Sequence, residues 1–158
     1  MLGPANQEIL MRARADLRLG IPIVLGSKEN AAIIAPIEVL NESRLDQLKI
    51  IDKNSYILIT TRRAQTLKCP IYDENFVRIA LGQFLKIASL KAIADPFLDL
   101  NNPLKGPFNI IRGKTLKLEN EAILLLKSAQ LLPAAVVSQV ENGENYANQH
   151  KLTYLTTE

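Results

Sequence analysis

A chain of 158 residues, 47% apolar and 22% charged, has the size and composition of about one globular domain with a real core. Its formal charge of +3 comes from 19 basic and 16 acidic residues spread along the chain. The densest basic cluster is Arg62-Arg63, and the aromatics do not alternate with basic residues, so nucleic acid is not an expected partner. No apolar run approaches the roughly 18 to 20 residues that a bilayer crossing needs, so no membrane partner is expected. The opening MLGPANQEIL lacks the basic segment and apolar block of a signal peptide, and the cytoplasm is the expected location.

In chain order, residues 6–19 form a helical pattern with Ile9, Ala13 and Leu17 on one face, closed by Gly20 as a left-handed residue. Strands are expected at 21–25 and 31–35, separated by the turn Gly26-Ser27-Lys28-Glu29-Asn30 and ended by Pro36. Asn41 is a good N-cap for a helix to about Ile51, with Leu45, Leu48 and Ile51 inward. A strand at 56–59 follows, then a short helix capped by Thr60 or Thr61, a strand at 76–80 and a helix over 83–94. From Pro96 to Lys117 the pattern is lost, apart from a short strand near 109–111. The prolines, glycines and paired asparagines there predict a long loop.

The organising stretch is Leu118 to Val140. Leu118, Ala122, Leu125, Ala129 and Leu132 recur at helical spacing, Pro133 stops the helix, and Ala134 to Val140 suits a buried strand. Strands and helices interspersed with loops of unequal length predict an α+β fold, a mixed β-sheet with helices packed on it. From Glu141 onward the chain turns polar, so 1–140 is read as the domain and 141–158 as a polar tail or linker.

Cys69 is the one cysteine and His150 the one histidine. They offer too few ligands for a structural zinc site, and no metal is expected. Cys69 reads as a small packing residue and His150 as a solvated one.

Three blocks resemble 3,4-dihydroxy-2-butanone 4-phosphate synthase of the riboflavin pathway. Leu17 to Leu25 (LRLGIPIVL) is similar to that family's "LRxGxPVxV", and Ile33 to Glu38 (IIAPIE) to its hydrophobic strand followed by A/P-A-E. Ile59 to Pro70 (ITTRRAQTLKCP) is similar to "L-T-x-x-R-x-x-x-L-x-x-P", and AQLLPAAVV at 129–137 resembles "AGLxPAGVx". The resemblance implies the synthase fold and a homodimer.

The departures fall on the family's chemistry. The family's acidic loop, which holds magnesium and the sugar phosphate, corresponds to the short Gly26–Asn30 turn with one carboxylate. Its catalytic histidine, counted back from Pro133, falls on Leu118, and its strand glutamate falls on Gln139. By this resemblance no catalytic residue remains. Glu38 is either a remnant ligand or a solvated strand-end carboxylate. Arg62 and Arg63 either meet a phosphate at a helix start or pair on the helix surface.

Leu90 to Pro96 (LKAIADP) and Ala122 to Val137 also resemble the "LxLADP" and "ALxLxKLAxLLPAAxV" of a synthase-like N-terminal region in certain bacterial GTP cyclohydrolase II proteins. That implies a non-catalytic domain with a cyclohydrolase domain to follow. Zinc and magnesium are then expected only in that missing domain, and no cofactor in this segment. A synthase with rearranged catalytic groups and a free-standing interaction module are the alternatives.

Overall fold

The computed structural model describes residues 2–72, 75–83, 85–102, 108–113 and 117–157. Six α-helices are described: α1 (Asn6–Arg18), α2 (Glu42–Ile51), α3 (Thr61–Thr66), α4 (Ile87–Ala94), α5 (Lys117–Ser128) and α6 (Gly143–His150). The strands are β1 (Ile23–Gly26), β2 (Ala31–Pro36), β3 (Tyr56–Thr60), β4 (Phe76–Ala80), β5 (Ile110–Ile111), β6 (Ala134–Val140) and β7 (Tyr154–Thr156). They form one sheet in the order β5-β4-β3-β6-β2-β1-β7. All neighbours run antiparallel except β1 and β7, so the sheet is mixed and the α+β expectation holds.

Alternation along the strands sends side chains to two separate cores. Val24, Ile33, Ile57, Val77 and Val136 face a layer that includes Leu45 and Leu48 of α2 and Leu90 and Ile93 of α4. Ile23, Ile34, Leu58, Phe76 and Val137 face α1 and α5, meeting Leu17, Ala122 and Leu126. Helices on both faces explain why strands in a largely antiparallel sheet read as unbroken apolar runs rather than as alternation.

Local chemistry sets the element ends. Asn41 accepts a hydrogen bond from the Arg44 amide at 2.8 Å, and Thr60 accepts one from the Arg63 amide at 3.1 Å, so both capping expectations are met. The β1–β2 turn needs Gly26, whose φ is +155°, because a Cβ there would lie 2.2 Å from the Asn30 carbonyl oxygen.

Ile51, expected inward, is exposed at the end of α2, and three expectations about element bounds change. The helix expected over 83–94 starts at Ile87. Ahead of it, the carbonyls of Gln83 and Leu85 accept from the buried Lys49 ammonium at 3.2 and 2.6 Å instead of entering a helical ladder. Helix α5 ends at Ser128, short of Pro133, because Gln130 turns left-handed (φ 62°) and the Leu131 amide bonds back to Leu126 at 3.0 Å.

The third change concerns the segment expected as a polar tail or linker, whose described residues, 141–157, are part of the fold. It folds as α6 and β7, and β7 extends the sheet in parallel register with β1, Val24 opposite Tyr154 and Leu25 opposite Leu155. A few well-spaced apolar groups suffice: Ala147 is fully buried, and Tyr146, Leu152 and Tyr154 pack on the core. Gly143 lets α6 approach closely, since a Cβ there would sit 2.5 Å from Ala31 Cβ. The Thr153 hydroxyl donates to Asp16 of α1 at 2.6 Å. Among the described residues, no helix is long and apolar enough to cross a membrane.

Candidate functional site

Helix α5 returns through a tight turn into β6, so the start of the helix comes to lie beside the end of the strand. Gln139 stands two residues beyond Val137, on the sheet face that α5 covers. Leu118 and Gln139 therefore come to the same end of the molecule, although 20 residues separate them in sequence. They line one cavity of about 500 Å³, together with Lys28, Glu29 and Asn30 of the β1–β2 turn and Glu141. These are the positions that the departures from the synthase pattern single out.

The cavity is polar at its rim and apolar at Leu118, which is 3% exposed and packs into the core beneath α1 and α5. Gln139 is held through its backbone, whose amide donates to Asp52 Oδ2 at 2.9 Å. Glu29 and Glu141 are the carboxylate residues of the lining and Lys28 is its lysine. Among the described residues, no three His, Cys, Asp or Glu side chains converge on a metal position. A leucine side chain has no lone pair to offer, so this donor set does not fit a magnesium ion held by several protein oxygens and an imidazole.

One residue past Leu118, Glu119 is completely buried. Arg78 of β4 grips it with two nitrogens, Nε to Oε2 and Nη2 to Oε1, the latter at 2.6 Å. The Tyr56 hydroxyl donates to Glu119 Oε2 at 2.8 Å. The Arg78 guanidinium lies 5.2 Å from the Phe76 ring centre and 6.0 Å from that of Tyr56. Burial, then the negative charge of Glu119, pushes the Tyr56 phenol far above its ordinary value. The hydrogen bonds to Glu119 likewise raise the Arg78 pKa. This network was not apparent from the sequence. The available signal was an arginine in the middle of the apolar strand β4, with Glu119 one of two carboxylates in the polar first turns of α5, and fold-level pairing alone could join them.

Glu38, Arg62 and Arg63 lie elsewhere. Glu38 follows the end of β2 and Arg62 and Arg63 follow the end of β3, whereas the cavity sits at the start of β2 and beside the start of β3. Glu38 is exposed, and its carbonyl accepts from Lys91 Nζ at 3.2 Å. Arg62 is exposed. Arg63 is buried, with Nε donating to the Ile93 carbonyl at 2.7 Å and Nη2 to that of Ala92 at 3.1 Å. Its two Nη atoms hold the Asp99 carboxylate at 2.8 and 2.7 Å. Arg63 thus closes the C-terminal end of α4, where orphan carbonyls and the helix dipole favour a cation.

Cys69 is buried. Desolvation raises its thiol pKa and the Arg63 charge opposes that rise, which describes a packing residue rather than an activated nucleophile. His150 is exposed on α6, its ring stacked 4.2 Å from Tyr146.

The chain has the fold of the 3,4-dihydroxy-2-butanone 4-phosphate synthases. A two-domain synthase from A. baumannii superposes with a TM-score of 0.68 and 15% identity over 93% of this chain. This chain spans 55% of that longer protein. The Candida albicans synthase gives 0.67 and 14% identity, covering 93% of this chain and 92% of its own. A synthase in complex with two magnesium ions gives 0.61 at 14% identity, covering 98% of this chain and 93% of its own. No protein-family model and no curated protein matches the chain.

Proposed function

We propose that this chain is a non-catalytic, synthase-like domain of riboflavin biosynthesis, the N-terminal part of a cytoplasmic GTP cyclohydrolase II protein. The observation that carries the reading is that Leu118 and Gln139 line one cavity together with residues of the short 26–30 turn. If those positions correspond to the synthase family's histidine and glutamate, the fold keeps its site and lacks its chemistry. Leucine exchanges no proton, and the glutamine amide is neutral at every working pH. Losing one proton-transfer group typically costs about 10² to 10⁴ in rate.

The LKAIADP and AQLLPAAVV segments support the cyclohydrolase parentage. The parent would open the imidazole ring of GTP, releasing formate and pyrophosphate, with zinc and magnesium held in its own C-terminal domain. The role of this domain would be folding, homodimerisation or regulation. The decisive assay is formate release from ribulose 5-phosphate with magnesium present, where the expected rate equals a no-enzyme blank. Turnover above the blank, abolished by His150→Ala, would promote the rearranged synthase instead. A cysteine cluster of cyclohydrolase type in the reading frame beyond Glu158 is the expected mark of the parent.

A further inference from the structure

A second hollow, of about 530 Å³, opens on the other side of Gln139, where the start of β3 meets the ends of β4 and β5. Its charge has one sign. Lys53, Arg78 and Arg112 line it, and among the described residues no Asp or Glu does. Arg78 is committed to Glu119 behind the wall. Lys53 and Arg112 are exposed, and among the described residues neither forms an ion pair. The Arg112 guanidinium carbon lies 4.1 Å from the Tyr72 ring centre, and an arginine stacked on an aromatic face keeps its in-plane N–H groups for another partner.

The rest of the lining is of a different kind. Tyr56, Ala80, Leu81 and Ile111 make an apolar wall, with the amide side chains of Asn54 and Gln139 at its edge. A bare inorganic anion would leave that wall wet, and an uncharged apolar molecule would leave the two cations without a partner. A ligand with one doubly charged end and one apolar end meets both demands.

We propose that this hollow binds a phosphomonoester with an apolar body, its phosphate between Lys53 and Arg112 and its body against Leu81 and Ile111. The site does not depend on the function proposed above, because it uses none of the groups whose loss defines that reading except the neutral Gln139. Charge-assisted hydrogen bonds supply the attraction, and salt weakens it because both cations are exposed.

The test is a titration of the full chain at low salt with four probes: phenyl phosphate, inorganic phosphate, ribose 5-phosphate and phenol. Calorimetry gives affinity and stoichiometry, and amide chemical shifts give the location. Phenyl phosphate is expected to saturate at one per chain, shifting the amides of residues 53–56, 80–81 and 111–113. It should bind about tenfold more tightly than inorganic phosphate or ribose 5-phosphate, with no saturation by phenol. Lys53→Gln and Arg112→Gln, both at exposed positions that leave the remaining spectrum unchanged, should each weaken it about fivefold or more. The proposal is overturned if phenyl phosphate does not saturate by roughly 10 mM. It is equally overturned if the shifts fall elsewhere, if the variants bind as the parent does, or if ribose 5-phosphate matches phenyl phosphate.

Discussion

Arg63 and Arg78 are both buried and each grips one carboxylate with two nitrogens, yet the two clamps differ in what surrounds the acid. Asp99, the partner of Arg63, has a side chain 31% exposed, and half of the arginine's hydrogen bonds go to helix carbonyls. Glu119, the partner of Arg78, is fully buried, with aromatic rings flanking the guanidinium. Water can solvate Asp99 when its partner is lost. It cannot reach Glu119 without opening the packing between α5 and the sheet. The lesson is that the same ion-pair geometry carries different energetic consequences depending on which partner keeps a route to solvent.

The sharpest way to break this comparison is Arg78→Met. It strands a buried carboxylate, and a stability loss of about 3–5 kcal/mol is expected by urea unfolding. Adding Glu119→Leu should recover most of that loss, since an apolar pair replaces the ion pair. A single variant as stable as its parent would mean that water reaches Glu119 after all.

Arg63→Met comes next, at about 2–3 kcal/mol, because it leaves the Ala92 and Ile93 carbonyls of α4 without a donor. Cutting the same clamp from the acid side, with Asp99→Asn, should cost under about 1 kcal/mol at this partly exposed position. Equal losses from both sides would erase the distinction drawn between the two clamps.

Tyr56→Phe removes one hydrogen bond to Glu119, for about 1 kcal/mol at neutral pH. Its better signature is pH dependence. The folded phenol has a pKa above the ordinary 10.0, so its contribution is complete below pH 10 and is lost as pH rises beyond it, when the unfolded chain ionises first. Unfolding midpoints measured from pH 8 upward should fall more steeply for the parent than for the phenylalanine variant above pH 10. The smallest effect is expected for Arg62→Ala, within about 0.5 kcal/mol, since Arg62 is exposed while its neighbour carries the clamp.

The adjacency of Arg62 and Arg63 also marks where sequence reading stops. Their spacing at the start of α3 was visible, but the burial of Arg63 depends on α4 and Asp99, some 30 residues on, and no local pattern reports that. The strands were legible because both sheet faces are covered, which leaves unbroken apolar runs. Helix ends were legible where the cap was chemically marked, at Asn41, Thr60 and Gly20. They were not where Lys68, Gln130 and Lys151 adopt positive φ, because the 6→1 closure is made by backbone atoms and the side chain gives no sign of it. The polar composition of 141–158 hid α6 and β7, since a three-residue edge strand needs few apolar groups. Of the candidate site, the positions of Leu118 and Gln139 were readable through a family resemblance. The Arg78–Glu119–Tyr56 network is a product of tertiary pairing alone.

The parallel pairing of β7 with β1 has a consequence for the order in which the molecule is completed. β1 is made well before β7, so a nascent chain made only as far as Val140 holds β1 with one flank of backbone donors and acceptors uncovered. An uncovered strand flank is a template for pairing with another chain. Strand β7 therefore acts as a seal applied late to that flank. The hydrogen bond from Thr153, just ahead of β7, to Asp16 fastens that seal to α1.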